Sequence, residues 1–256
     1  MGLADDVISG QVLAPPRIVV SGTEKIGKTT FAAGAPRPIF VQTEEGADQV
    51  GCARFPLSKT FDDVSRRLKS LRDEEHDYET LVIDSLDWLE RLVHARVATD
   101  RGVPSIESIG YGKGYIDATA LWAKVLDTLD EIRQQRSMAI VLIAHVEVKR
   151  FDDPSTESYD RYQLKMHKGA SALVTEWCDA LLFACQDTRV KKEDVGFNAE
   201  KKKGITSGKR VLRTVGAPAW VAGNRYGLPE TIDLSWAAFE DALTATTATT
   251  AKKAAE

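Results

Sequence analysis

The chain has 256 residues, 43% of them hydrophobic and 28% charged, with a formal net charge of −4. That length buries a sizeable core and fits one large α/β domain with extensions, while no apolar run approaches a membrane span and the opening residues lack the basic and apolar regions of a signal peptide. Cys52, Cys178 and Cys185 share no metal-ligand spacing and the four histidines form no cluster, so no zinc site is expected and a reducing, cytoplasmic setting is.

Residues 1–14 are expected to be an N-terminal arm, flexible or docked on a neighbouring subunit. Residues 17–21 form a short apolar strand. Gly22, Thr23, Glu24, Lys25, Ile26, Gly27, Lys28, Thr29 and Thr30 then fit G-x-x-x-x-G-K-[ST], the phosphate-binding P-loop. Residues 29–33 continue as a helix closed by Gly34 and Pro36. Strand, glycine loop and helix are the context the motif requires, because backbone N–H groups and the helix dipole then converge on phosphate oxygens. Lys28 is expected to reach the β- and γ-phosphates of ATP, and the Thr29 hydroxyl to hold Mg²⁺.

Residues 38–43 read as a second strand ending at Glu44, Glu45 and Gly46. Residues 61–71 form a helix capped by Thr60, with Phe61, Val64, Leu68 and Leu71 on one face. Residues 80–84 are an apolar strand ending in Asp84, the Walker B arrangement in which a carboxylate supports the Mg²⁺ shell. Helices are expected over 86–97 and 116–135, a buried strand over 137–144 ending at His145, a helix over 168–177 and a strand over 179–184. The alternation implies a mostly parallel sheet covered on both faces.

The C-terminal third changes character. Residues 188–215 suggest longer antiparallel strands, with Lys191, Lys192 and Lys201 to Lys203 around a turn. Residues 219–222 read as a short strand and 235–243 as a capped helix. The Thr/Ala-rich segment 244–256 has few large apolar groups and is expected to be a disordered tail, leaving 15–243 as the folded domain. Basic residues outnumber acidic ones over 146–213 in an otherwise acidic chain, a weak electrostatic footprint.

Hydrolysis needs a group that activates water near the γ-phosphate, and parallel strands deliver side chains from their carboxyl ends to the crevice beside the P-loop. Glu44 stands at such an end and is the expected water-activating residue. His145 ends the strand that follows Walker B, where a polar group can sense the γ-phosphate and pass its presence to the next loop.

Together these residues resemble the RecA-type ATPases, especially small phage members that act as single-strand annealing recombinases or nucleotide-binding recombination proteins. Phe40 to Glu44 resembles the RecA segment whose glutamate activates water, Asp84-Ser85 its Walker B end, and Ala144-His145 its γ-phosphate sensor, a glutamine in RecA. Ala222 to Gly227 resembles a Lys-x-Arg run of the DnaB helicases, with Gly223 in place of the lysine. Gly110 to Gly114, His145 to Phe151 and Asn224 to Pro229 resemble runs in the phage proteins.

The resemblance implies a RecA-like P-loop ATPase fold with a C-terminal antiparallel extension, assembled as a ring or filament and acting on single-stranded DNA. It implies that Arg225 stabilises γ-phosphate charge in a neighbouring subunit. It also places DNA-facing loops at about 99–115 and 146–167, where Lys113, Lys149, Arg150, Phe151, Arg161, Tyr162 and Lys165 offer basic groups for phosphates and rings for bases. Other phage recombination or replication proteins would be partners. An ATP-switched loading protein and a helicase-like motor of phage replication stay open as alternatives.

Overall fold

The computed structural model describes residues 14–194 and 200–254. Strand β1 (Arg17–Gly22) leads through the glycine loop into helix α1 (Lys28–Ala33). Strands β2 (Pro38–Gln42) and β3 (Ala53–Arg54) follow, then α2 (Phe61–Asp73), β4 (Thr80–Asp84), α3 (Leu86–Asp100) and α4 (Lys113–Arg136). Next come β5 (Ala139–Phe151), β6 (Tyr159–Leu164), α5 (Lys168–Trp177), β7 (Ala180–Asp194) and β8 (Glu200–Arg213). The two-residue strand β9 (Gly223–Asn224), β10 (Thr231–Asp233) and α6 (Trp236–Ala254) complete the chain.

The sheet runs β10-β8-β7-β1-β5-β4-β2-β3, with β6 paired to β5 and β9 to β7. The central strands β7, β1, β5, β4, β2 and β3 are parallel, whereas β8, β10, β9 and β6 pair antiparallel. The fold is therefore the expected α/β one: a mostly parallel central sheet flanked by helices, with antiparallel strands towards the C-terminus.

Near-continuous apolar strands are what burial on both faces demands. Val19, Leu81, Ile83, Ile140 and Leu142 point to a core shared with α2, α3, α4 and α5. Ile18, Val20, Val82, Val141 and Ile143 point the other way, onto Phe31 of α1 and Trp236 and Phe239 of α6. Helix α2 starts where a capping box dictates: Thr60 Oγ1 accepts from the Asp63 N–H, and the Asp63 carboxylate accepts from the Thr60 N–H, each at 3.1 Å.

Several elements differ from the sequence reading. The segment 146–167, expected as a loop, is largely a β-hairpin: β5 continues past His145 to Phe151 and pairs with β6 from Val146↔Leu164 to Phe151↔Tyr159. Its apolar–polar alternation over Val146, Glu147, Val148 and Lys149 suits a two-stranded ribbon. Residues 219–222 are not a strand; Trp220 makes an isolated bridge with Ala217, and the pairing with β7 falls one step later, at β9.

Helix α6 does not stop at Leu243. It runs to Ala254, so the segment expected to be disordered is helical through that residue. Alanine has the highest helix propensity, and the Thr246 hydroxyl donates to the carbonyls of Ala242 and Leu243 instead of breaking the helix. Residues 1–13 of the expected arm, residues 195–199, where a turn is expected, and the last two residues lie outside the described residues. Among the described residues no helix is long and apolar enough to cross a membrane.

Candidate active site

The P-loop connects the carboxyl end of β1 to α1, as its sequence requires. Gly27 stands at φ +114°, a conformation open to glycine, and a Cβ at Gly22 would lie 2.6 Å from the Ala184 carbonyl oxygen. The loop is thus a tight backbone cradle against β7. Lys28 is buried, its Nζ donating to the carbonyls of Gly22 at 3.0 Å and Thr23 at 2.8 Å. Burial pushes its pKa down, while Asp84, Glu44 and Glu24 push it up. From the C-terminal extension, Arg210 Nη1 donates to the Ile26 carbonyl at 3.1 Å and braces the loop from outside. Thr30 lies exposed on the outer side of α1.

The Thr29 hydroxyl donates to the Asp84 carboxylate at 2.9 Å. Parallel pairing of β4 with β5, and of β5 with β1, brings these two residues together from 55 positions apart. Asp84 is buried, and desolvation raises its pKa against the Thr29 hydrogen bond and the Lys28 charge. A hydroxyl and a carboxylate in contact beside a phosphate cradle suit Mg²⁺, which binds through one or two protein oxygens and substrate phosphates. Among the described residues no group of three or more His, Cys, Asp or Glu could hold a metal by itself.

Glu44 follows β2 and is half-buried, its Oε1 3.8 Å from His145 Nδ1. Burial pushes its carboxyl above the usual range; Asp84 and Asp87 push the same way and His145 opposes them. A carboxylate with a raised pKa beside a phosphate cradle is suited to taking a proton from water. His145 is in turn held by Asp87, a residue the motifs did not single out. The Asp87 carboxylate accepts from His145 Nδ1 at 3.0 Å and from the His145 backbone N–H at 3.3 Å. That contact raises the pKa of His145, against the cost of burial.

The structure brings Glu44, Asp84, His145, Lys28 and Thr29 to one crevice. It does not bring Arg225 there. The Arg225 N–H donates to the Asp179 carbonyl, and its guanidinium meets the Asp179 carboxylate at 3.3 Å and the Glu176 carbonyl at 3.0 Å. Asp179 also binds Arg17, at the start of β1. Arg225 therefore sits at the opposite end of the sheet, one strand length of about 20 Å from its own P-loop.

The residues expected to face DNA divide among four places. Lys149, Phe151 and Arg161 share one face of the hairpin, with Tyr159: the Arg161 guanidinium lies 4.7 Å from the Phe151 ring centre, and Phe151 and Tyr159 are 5.6 Å apart. Arg150 and Tyr162 point to the other face, where Tyr162 packs 5.3 Å from Phe183 beneath Trp220. Lys165 lies just beyond β6, its N–H bonded to the His145 carbonyl at 2.9 Å. Lys113 stands apart, at the start of α4 beside the fully exposed Tyr111.

The glycine cradle, the Thr29–Asp84 pair and the alternating α/β frame define a P-loop ATPase domain. A comparison with protein families agrees: residues 14–226 match the model described as an AAA domain (AAA_24). The chain belongs to that AAA domain family. Among solved structures it is similar to the one titled "Crystal structure of the RadB recombinase", at 17% identity and a TM-score of 0.48, over 88% of this chain and 90% of that one. No match was found among curated proteins.

Sequence reasoning missed Asp87, Glu90 and Arg210. For the two acids a signal was present. On α3, Leu86, Glu90, Val93 and Val97 form a buried stripe in which Glu90 occupies an apolar position, and Asp87 is buried beside it.

Proposed function

We propose that this protein is a RecA-like, Mg²⁺-dependent and DNA-stimulated ATPase that binds single-stranded DNA and promotes annealing or strand exchange in a ring or filament. One observation carries the reading. The hairpin that presents Lys149, Phe151, Tyr159 and Arg161 grows without a break from His145, which lies against Glu44. Basic groups beside aromatic rings on one face of a ribbon are the chemistry that tracks phosphates and stacks bases without reading sequence.

In this reading Lys28 and the loop N–H groups hold the β- and γ-phosphates, Thr29 and Asp84 hold the metal, and Glu44 activates water. His145 registers the γ-phosphate. Bound Mg²⁺·ATP supplies the phosphoryl group and the charge that these residues organise. Arg225 acts on the nucleotide of a neighbouring copy, since its own chain keeps it at the far end of the sheet.

Turnover of ATP with and without single-stranded DNA, alongside annealing of complementary strands, tests the proposal. The expected result is stimulation by DNA and annealing that fails in Lys28→Ala. DNA-independent turnover with no annealing would overturn it. Mixing Lys28→Ala with Arg225→Ala tests the trans arginine, because recovered activity requires one copy to complete the site of another.

A further inference from the structure

Helix α3 begins two residues after Asp84 and carries two buried acids three positions apart, Asp87 and Glu90. Asp87 holds the main chain and ring of His145 where the hairpin leaves the sheet. Glu90 accepts two hydrogen bonds from the His167 N–H, at 2.9 and 3.0 Å, where the chain returns from the hairpin into α5. Between them the Lys165 N–H closes the base of the hairpin on the His145 carbonyl. The His167 ring also stacks on Tyr115 at 4.2 Å and 11°, in the first turn of α4. Both segments expected to face DNA thus end on a partner of α3.

We propose that Asp87 and Glu90 are positioning residues that clamp the two strands of the hairpin to the helix behind the phosphate site, so that a change at Glu44 and His145 reaches the hairpin and the Tyr115 segment together. The clamp concerns the ATPase site and the hairpin; only its consequence for DNA rests on the function proposed above. A carboxylate in an apolar stripe costs desolvation that a packed leucine would not. Glu90 offsets that cost by satisfying the N–H that begins α5, and among the described residues it has no salt-bridge partner. Burial raises its pKa to about 7. The groups that face it are Asp87 on its own helix, Glu147 and Lys149 on β5, the His167 N–H before α5, and Tyr115 on α4. A clamp built this way loosens when Glu90 gains a proton.

Hydrogen–deuterium exchange of the hairpin amides in the full chain, with and without a non-hydrolysable ATP analogue and Mg²⁺, tests this. The measured quantity is the ratio of the two rates at each pH, in which intrinsic exchange cancels. In the wild type the ratio is expected to depart from one at about pH 8 and to shrink towards one near pH 6, as Glu90 protonates. Glu90→Gln should bind the analogue as the wild type does, while its ratio stays within about two-fold of one at every pH, because a neutral amide removes a charge-assisted bond. Asp87→Asn moves the His145 titration to lower pH and, by removing a like charge, lowers that of Glu90 as well, whereas Glu90→Gln leaves the Asp87–His145 contact in place, which separates the two.

A Glu90→Gln ratio equal to the wild-type ratio would overturn the clamp, and so would a wild-type hairpin indifferent to nucleotide. If Glu90→Gln does not fold, a pH-independent wild-type ratio is sufficient to reject it. Should single-stranded DNA leave wild-type turnover unchanged while the exchange results hold, the DNA reading fails and the clamp stands.

Discussion

Asp87 accepts hydrogen bonds from both the backbone N–H and the ring Nδ1 of His145, at 3.3 and 3.0 Å. The first contact fixes where the strand meets the crevice. The second fixes which ring nitrogen carries a proton and favours the charged imidazole. His145 therefore has a folded-state pKa above its ordinary value, chiefly through Asp87. The pair's contribution to stability is present in full below the unfolded pKa of about 6.5, and is lost as pH rises through the raised folded value. Asp87→Asn should lower the melting temperature most at mildly acidic pH, with the gap to wild type narrowing in alkali. A gap that widens with pH would contradict the assignment. The His145 ring resonance, followed by NMR, should titrate at lower pH in the variant.

Glu44→Gln keeps the shape of the crevice and removes the base. Nucleotide affinity should change little, while turnover falls by about 10²- to 10⁴-fold. Because burial holds the Glu44 carboxyl above the usual range, wild-type turnover should fall as pH drops through that raised value. Steady-state rates across pH, with binding of a fluorescent ATP analogue measured separately, check both statements.

Gly22→Ala tests the cradle through its backbone. The added Cβ would meet the Ala184 carbonyl at 2.6 Å and the Ala184 Cβ at 3.2 Å, and neither belongs to a flexible side-chain end. The expected cost is about 1–3 kcal/mol of stability. Nucleotide affinity should drop as well, because the start of the loop moves. Denaturant unfolding and analogue binding report the two effects.

Thr60→Ala is a control for stability without chemistry. It removes one half of the capping box at the start of α2, far in the chain from the P-loop. About 1 kcal/mol of stability should be lost. Turnover per folded molecule should match wild type, and melting curves with ATPase rates taken well below the transition would show it.

The sequence made the P-loop, the Walker B strand and the position of Glu44 just past β2 legible, because each depends on spacing within about ten residues and on one strand period, whereas His145, expected to end its strand, lies within β5. Thr60 and its capping box were legible for the same reason. The hairpin was not. Val146 to Lys149 alternates as a strand does, but its partner begins only at Tyr159, and pairing across such a gap leaves no local mark. Asp87 and Glu90 belong to no motif, and only the apolar spacing around Glu90 on α3 marks the side that tertiary packing buries. Arg225 shows the limit of a motif: its neighbours resemble a known run, yet the path of the chain after β8 delivers it to Asp179. The last segment lacks the large apolar groups that mark a packed helix, yet its alanines favour the helix that α6 continues to Ala254.

The unbroken course of β5 has a mechanical consequence. The same strand is core at Ile140 to Ala144 and solvent-facing at Lys149 and Arg150, with no turn between. From His145 to Phe151 it forms a lever arm of about 20 Å. A tilt of about 5° at its root would swing the tip by roughly 2 Å over that arm, enough to make or break a stacking contact. Motion at this site then has the character of a pivoting stiff ribbon, in which the tip is displaced without any segment having to melt and refold.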